Sequence, residues 1–145
     1  MKRFFLPAIA ILSSVVCAQA QLDWLTDYDA ARAKGKSDNK LVLLNFTGSD
    51  WCGWCKRLNA EVFSKPEFQE YAAKNLVLVE LDFPRFKQQN EAVRRQNEEL
   101  AGKYRIEGFP TIIVLNSAGK MVGELGYMQG GADAFIAALE QIRKG

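Results

Sequence analysis

The chain has 145 residues, of which 48% are hydrophobic and 25% charged, with 19 basic against 17 acidic side chains. Those figures fit a single globular domain and argue against a nucleic-acid or anionic-membrane binder, which would need a clear basic excess. A structural zinc site, with four ligands to find, is disfavoured by three cysteines and no histidine.

The N-terminal stretch reads as a targeting segment. Lys2 and Arg3 make a basic start, residues 4–16 are mostly apolar, and Ala18-Gln19-Ala20 has the small-x-small form of a cleavage site. The apolar run falls short of the ~20 residues that a spanning helix needs. We therefore expect a secretory signal peptide over residues 1–20, cut after Ala20, and a mature domain over residues 21–145 in the periplasm or outside the cell. Cleavage would remove Lys2, Arg3 and Cys17, leaving 17 basic and 17 acidic residues and only Cys52 and Cys55 as cysteines. Export leads to a compartment where disulfides persist.

Along the mature chain, residues 22–33 carry Leu22, Trp24, Leu25, Tyr28 and Ala31 near helical spacing, so a helix is expected there with Thr26 or Asp27 as N-cap. Gly35 to Lys40 reads as a polar connector. Leu41-Val42-Leu43-Leu44-Asn45-Phe46 is a near-continuous apolar run, as in a strand covered on both faces. Thr47-Gly48-Ser49-Asp50 reads as a loop. Residues 53–63 read as a helix, which Ser64-Lys65-Pro66 interrupts, and a further helix opens at Pro66. Leu76 to Leu81 is a second strand, apolar except at Glu80. Residues 85–104 predict a solvated helix with a thin stripe of Phe86, Val93, Leu100 and Tyr104.

After Gly108-Phe109-Pro110 come a third strand over residues 111–115, a turn at Asn116-Ser117-Ala118-Gly119 and a return strand over residues 120–125. Residues 132–143 close the chain as a helix. This order predicts an α/β fold: a central mixed sheet, with a parallel βαβ half and an antiparallel hairpin half, flanked by helices.

The chemistry concentrates in Trp51-Cys52-Gly53-Trp54-Cys55-Lys56. With residues 53–63 helical, Cys52 lies at the helix N-terminus and Cys55 one turn on, sharing a face, so the two sulfurs can meet as dithiol or disulfide. Free N–H groups and the positive end of the helix dipole would favour a thiolate at Cys52, lowering its pKa below the ~8.5 of a free thiol. A passive bridge is the poorer reading. Closing so small a ring constrains the unfolded chain by only roughly 2 kcal/mol, against about 4.7 for a 100-residue loop.

Together with Phe109-Pro110-Thr111 some fifty residues later, this hexapeptide resembles the thioredoxin superfamily. The likeness is to exported bacterial thioredoxin-like proteins and to the C-terminal domain of the membrane thiol:disulfide interchange protein, and it spans about residues 22–143. It implies a thioredoxin fold in which Cys52 attacks, Cys55 resolves, and Pro110 is a cis-proline facing them. Phe109 would offer its backbone to an extended substrate strand, with Gly126 keeping that groove open. Trp51 would pack on the active-site loop and shield it, and Trp54 would contact partners.

Two departures matter. Asn45 stands nearest the family's buried aspartate, with one extra residue in Thr47-Gly48-Ser49-Asp50. An amide takes no proton, so Cys55 needs another acceptor: Glu80, Asp50 or water. Trp54 replaces the proline of thioredoxins and the histidine of isomerases, which removes a cation beside Cys52; Lys56 supplies some positive charge.

The expected activity is thiol–disulfide exchange in the reducing direction, without cofactor or metal. The resemblance implies a monomer acting on protein or small-molecule thiols and disulfides, coupled to a thiol protein as electron donor or acceptor. The rivals are a disulfide oxidase or isomerase, and a redox-inactive thioredoxin-fold binding or chaperone module.

Overall fold

The computed structural model of the protein describes residues 22–145; the expected leader over residues 1–20 and Cys17 lie outside the described residues. The elements run β1 (Trp24–Leu25), α1 (Tyr28–Asp38), β2 (Leu41–Thr47), α2 (Gly53–Leu58) and α3 (Pro66–Asn75), then β3 (Leu76–Asp82), α4 (Glu91–Lys103), β4 (Thr111–Leu115), β5 (Met121–Leu125) and α5 (Gly131–Lys144). A π-helical turn, Asn59–Phe63, continues α2 without a break.

The five strands form one sheet in the order β1-β3-β2-β4-β5. β1, β3 and β2 are parallel to one another, whereas β4 pairs antiparallel with both β2 and β5. This is the mixed sheet expected, with its βαβ half and its hairpin half. Alternate side chains of each strand point to opposite faces, and helices cover both. On one face, α2, the π-turn, α3 and α5 bury Leu58, Val62, Phe63, Phe68, Phe135 and Leu139 against Leu43, Leu78, Ile112 and Val114. On the other, Tyr28 and Ala31 of α1 and Leu100 of α4 cover Val42, Leu44, Phe46, Val79, Leu81 and Ile113.

The helix expected over residues 22–33 is displaced. Trp24 and Leu25 are instead a short edge strand in register with Leu78 and Val79, because their apolar side chains are needed on the sheet. Asp27 starts α1, its carboxylate accepting from the Ala30 N–H at 2.9 Å. The helix runs on through Gly35, where the Val42 side chain occupies the space a Cβ would take, and stops at Asn39 in the left-handed region (φ 51°).

The helix expected over residues 85–104 begins later, at Glu91. Asn90 caps it by accepting from the N–H groups of Ala92 and Val93. The stretch before it is a loop, and Phe86, expected in the helix stripe, lies on that loop and is 82% exposed. The remaining helices and strands fall within a residue or two of their expected bounds.

Candidate active site

β2 and β3 end side by side, with Asn45 opposite Glu80 and Thr47 opposite Asp82. The loop leaving β2 turns at once: the Gly48 carbonyl accepts from the N–H groups of both Trp51 (3.2 Å) and Cys52 (2.8 Å). Gly48 is required there, since a Cβ would sit 2.6 Å from the indole nitrogen of Trp51. The turn delivers Cys52 to the N-cap of α2, where its Sγ accepts from the Cys55 N–H at 3.2 Å. Cys52 and Cys55 are joined as a disulfide, their Cα atoms 5.2 Å apart. Both residues are buried.

The flanking tryptophans differ. Trp51 is half-buried: its indole N–H donates to the Phe83 carbonyl at 2.8 Å, its ring meets Phe109 edge-on at 5.9 Å, and the Arg85 guanidinium lies 3.5 Å from the ring centroid. Trp54 is 55% exposed. It tilts against Tyr127 at 5.0 Å, with the Arg57 guanidinium 5.5 Å from its ring. Arg57 and Tyr127 both bind Glu61, at 2.6 and 2.7 Å, which fixes the outer wall of the site.

The Phe109–Pro110 peptide is cis. Among the described residues, no loop or turn hydrogen bond uses the Phe109 backbone N–H or carbonyl. Gly126 follows β5, and only the Pro110 carbonyl oxygen, at 3.8 Å, comes within 4 Å of where its Cβ would be. Phe109 and Gly126 therefore border an open strip of backbone beside the aromatic walls.

Beneath the disulfide, Asn45, Thr47, Ser49, Cys55, Lys56, Asn59 and Glu80 line a cavity of about 160 Å³, polar and roomy enough for water. Asn45 Oδ1 is buried there without a hydrogen-bond partner. Burial raises the Glu80 carboxyl above its ordinary pKa, and the charge of Asp82 raises it further. Lys56 extends along the outside of the helix start and donates to the Asp50 carbonyl at 3.3 Å.

Asp50, one of the acceptors considered from sequence, is committed elsewhere. Its carboxylate accepts from the N–H groups of Arg85, Phe86 and Lys87 at 2.8–3.1 Å. Desolvation pushes its pKa up, but these three bonds together outweigh that and hold it below the ordinary carboxylate value. In return, Asp82 on β3 accepts from the N–H and hydroxyl of Ser49 at 2.9 and 2.6 Å. The two loops thus clasp each other through one carboxylate apiece. Sequence reading missed both this clasp and the polar cavity. The alternation of Asn45 with Thr47 and of Glu80 with Asp82, at strand ends that are otherwise apolar, was the available signal.

A family model for a thioredoxin-like domain matches residues 27–143. The chain belongs to the thioredoxin-like family. It is 35% identical over 127 residues to the disulfide bond reductase DsbH of Chlamydia pneumoniae, covering 88% of this chain and 76% of that protein. A solved DsbH oxidoreductase superposes with a TM-score of 0.84 at 33% identity over 95% of both chains. The oxidised C-terminal domain of DsbD from Neisseria meningitidis shares the fold, at 24% identity and a TM-score of 0.57 over 82% of this chain and 98% of that one. Within this thioredoxin-like domain, the sheet, the paired cysteines and the Phe109–Pro110 turn converge on one end. Among the described residues, no helix is long and apolar enough to cross a membrane.

Proposed function

We propose that this chain is an exported thiol–disulfide oxidoreductase that reduces substrate disulfides through Cys52 and Cys55. The carrying observation is the Cys52–Cys55 disulfide at a helix start, in a chain 35% identical to a disulfide bond reductase. In the reduced form, the Cys52 thiolate attacks one sulfur of a substrate disulfide, and the other substrate sulfur leaves as a thiolate. Ionised Glu80 takes the Cys55 proton across the polar cavity through water. The Cys55 thiolate then attacks Cys52 Sγ, which closes the protein disulfide and releases the second substrate sulfur. Two electrons have passed to the substrate, and a donor thiol protein returns them to the pair.

The surroundings support these roles. The Cys52 sulfur already accepts a helix N–H, an arrangement that favours its anion. Phe109 offers unpaired backbone beside Pro110, suited to an extended substrate strand. Glu80 lines the same cavity as Cys55, and its raised pKa brings it nearer that of a thiol than an ordinary carboxylate. Export rests on the basic, apolar and small-residue pattern of residues 1–20.

The test is turbidimetric insulin reduction together with trapping by Cys55→Ala. We expect turnover well above the dithiothreitol background, and an adduct on Cys52 that dithiothreitol releases. Background turnover and no Cys52-dependent adduct would overturn the proposal. A reduction potential near −120 to −180 mV would assign the protein to the oxidising or isomerising direction instead. N-terminal sequencing of protein recovered from the periplasm should begin at Gln21.

A further inference from the structure

Phe86 is 82% exposed, yet the loop beneath it is tied down by several hydrogen bonds. The Asp50 carboxylate binds the N–H groups of Arg85, Phe86 and Lys87. Arg85 is stacked on Trp51, and the Phe83 carbonyl accepts from the Trp51 indole. The Phe83 N–H also donates to the Thr47 carbonyl at 2.8 Å, and the Lys87 ammonium pairs with Asp82 at 3.0 Å. An aromatic side chain held out on an immobilised backbone loses little freedom when it is covered, which is the physics of a binding anchor.

Its position says what would cover it. Asp50 precedes Cys52 by two residues, so at most about 7 Å of chain separates their Cα atoms. The loop carrying Phe86 is thereby bonded to the segment that delivers the attacking sulfur. Through Trp51 it continues to Phe109 on the open backbone strip. A polypeptide lying along that strip to reach Cys52 would come toward this loop by way of Trp51 and Arg85, which a small thiol need not do.

We propose that Phe86 is a specificity-determining contact that selects protein disulfides flanked by aliphatic or aromatic residues, as in chains with exposed core segments. This rests on the oxidoreductase reading above and names its substrate class. The ring supplies an apolar surface next to a site whose other exposed aromatic, Trp54, stands between the cysteines. Apolar side chains beside the substrate cysteine would cover that surface and slow dissociation of the non-covalent complex before Cys52 attacks, which raises kcat/KM.

The experiment uses two disulfide-linked peptides, identical except for leucine or serine at the positions flanking the cysteine, with the wild-type chain, Phe86→Ala and Phe86→Leu. We expect the wild type to prefer the leucine peptide about tenfold in kcat/KM. Phe86→Ala should reduce that preference to within twofold while leaving the serine-peptide rate unchanged, and Phe86→Leu should retain most of it. A preference that survives Phe86→Ala, or equal turnover of both peptides by the wild type, overturns the inference alone. If the wild type reduces neither peptide, the oxidoreductase reading fails, and the inference with it.

Discussion

The two faces of β2 and β3 are built from alternate residues of the same two strands, yet they differ in character. Val42, Leu44, Phe46, Val77, Val79 and Leu81 face α1 and α4 and are apolar from one strand end to the other. The opposite face starts equally apolar with Leu43, Leu76 and Leu78 under α3 and α5. It then turns polar at Asn45, Glu80, Thr47 and Asp82, where the strands run out beneath the cysteines. One face maximises burial. The other gives up apolar side chains over its last two layers to place the Glu80 carboxyl beside the cavity and the Asp82 carboxylate that fixes a loop, so apolar packing and polar function are separated by one-residue steps along a strand.

The largest expected effect lies on the apolar face. Phe46 is fully buried there, packed against Phe83 and Tyr104. Phe46→Ala should cost about 3–5 kcal/mol in denaturant unfolding while the surviving folded protein keeps its reduction potential. A large shift in potential would mean that the two faces are not separable.

Next comes Glu80→Gln on the polar face. It should slow release of the mixed disulfide on the order of 10²-fold, the low end for a proton-transfer group, and flatten the pH dependence of that step. Because the folded pKa of Glu80 lies above its ordinary value, its ionisation opposes folding. Stability is full below the unfolded pKa and falls as pH rises through the folded one. The variant should lose that slope and be the more stable protein at neutral pH. A release rate matching wild type at all pH values would remove Glu80 from the mechanism.

A smaller effect is expected at Asn45, whose Oδ1 has no partner. Asn45→Leu leaves no protein group unpaired and removes only contacts with water in the cavity, so it should change stability by no more than about 1 kcal/mol. A larger loss would mean that the amide anchors that water. The smallest change is local. Asp50→Asn should leave the unfolding midpoint nearly intact at neutral pH but speed hydrogen exchange at the amides of residues 85–87. In the wild type, the lowered pKa of Asp50 keeps these amides protected until the pH falls through its folded value.

Asn45 and Glu80 also mark where sequence reading stopped. Each strand could be found as an apolar run, and its polar residue could be singled out, Asn45 by the family resemblance and Glu80 as a proton acceptor, but neither could be placed beside the other. Only their register, Asn45 opposite Glu80, makes the pair a feature. The same holds for Trp24 and Leu25. Their apolar spacing fits a helix as well as a strand, and the free edge of β3 decided between them. Phe86 fell into a helical stripe by spacing, but its backbone N–H donates to a carboxylate 36 positions earlier, which holds the segment as a loop.

The local pattern alone therefore determined which segments are strands and helices over most of the chain, and that two cysteines meet across one helical turn. Periodicity and a three-residue spacing are short-range properties that the chain carries wherever it folds. The tertiary structure alone decided which polar groups lie under the sulfurs, which carboxylate fastens which loop, and which aromatic is left in solvent. Those pairings join residues dozens of positions apart, and they exist only once the strands have taken their register and the helices have closed over the sheet.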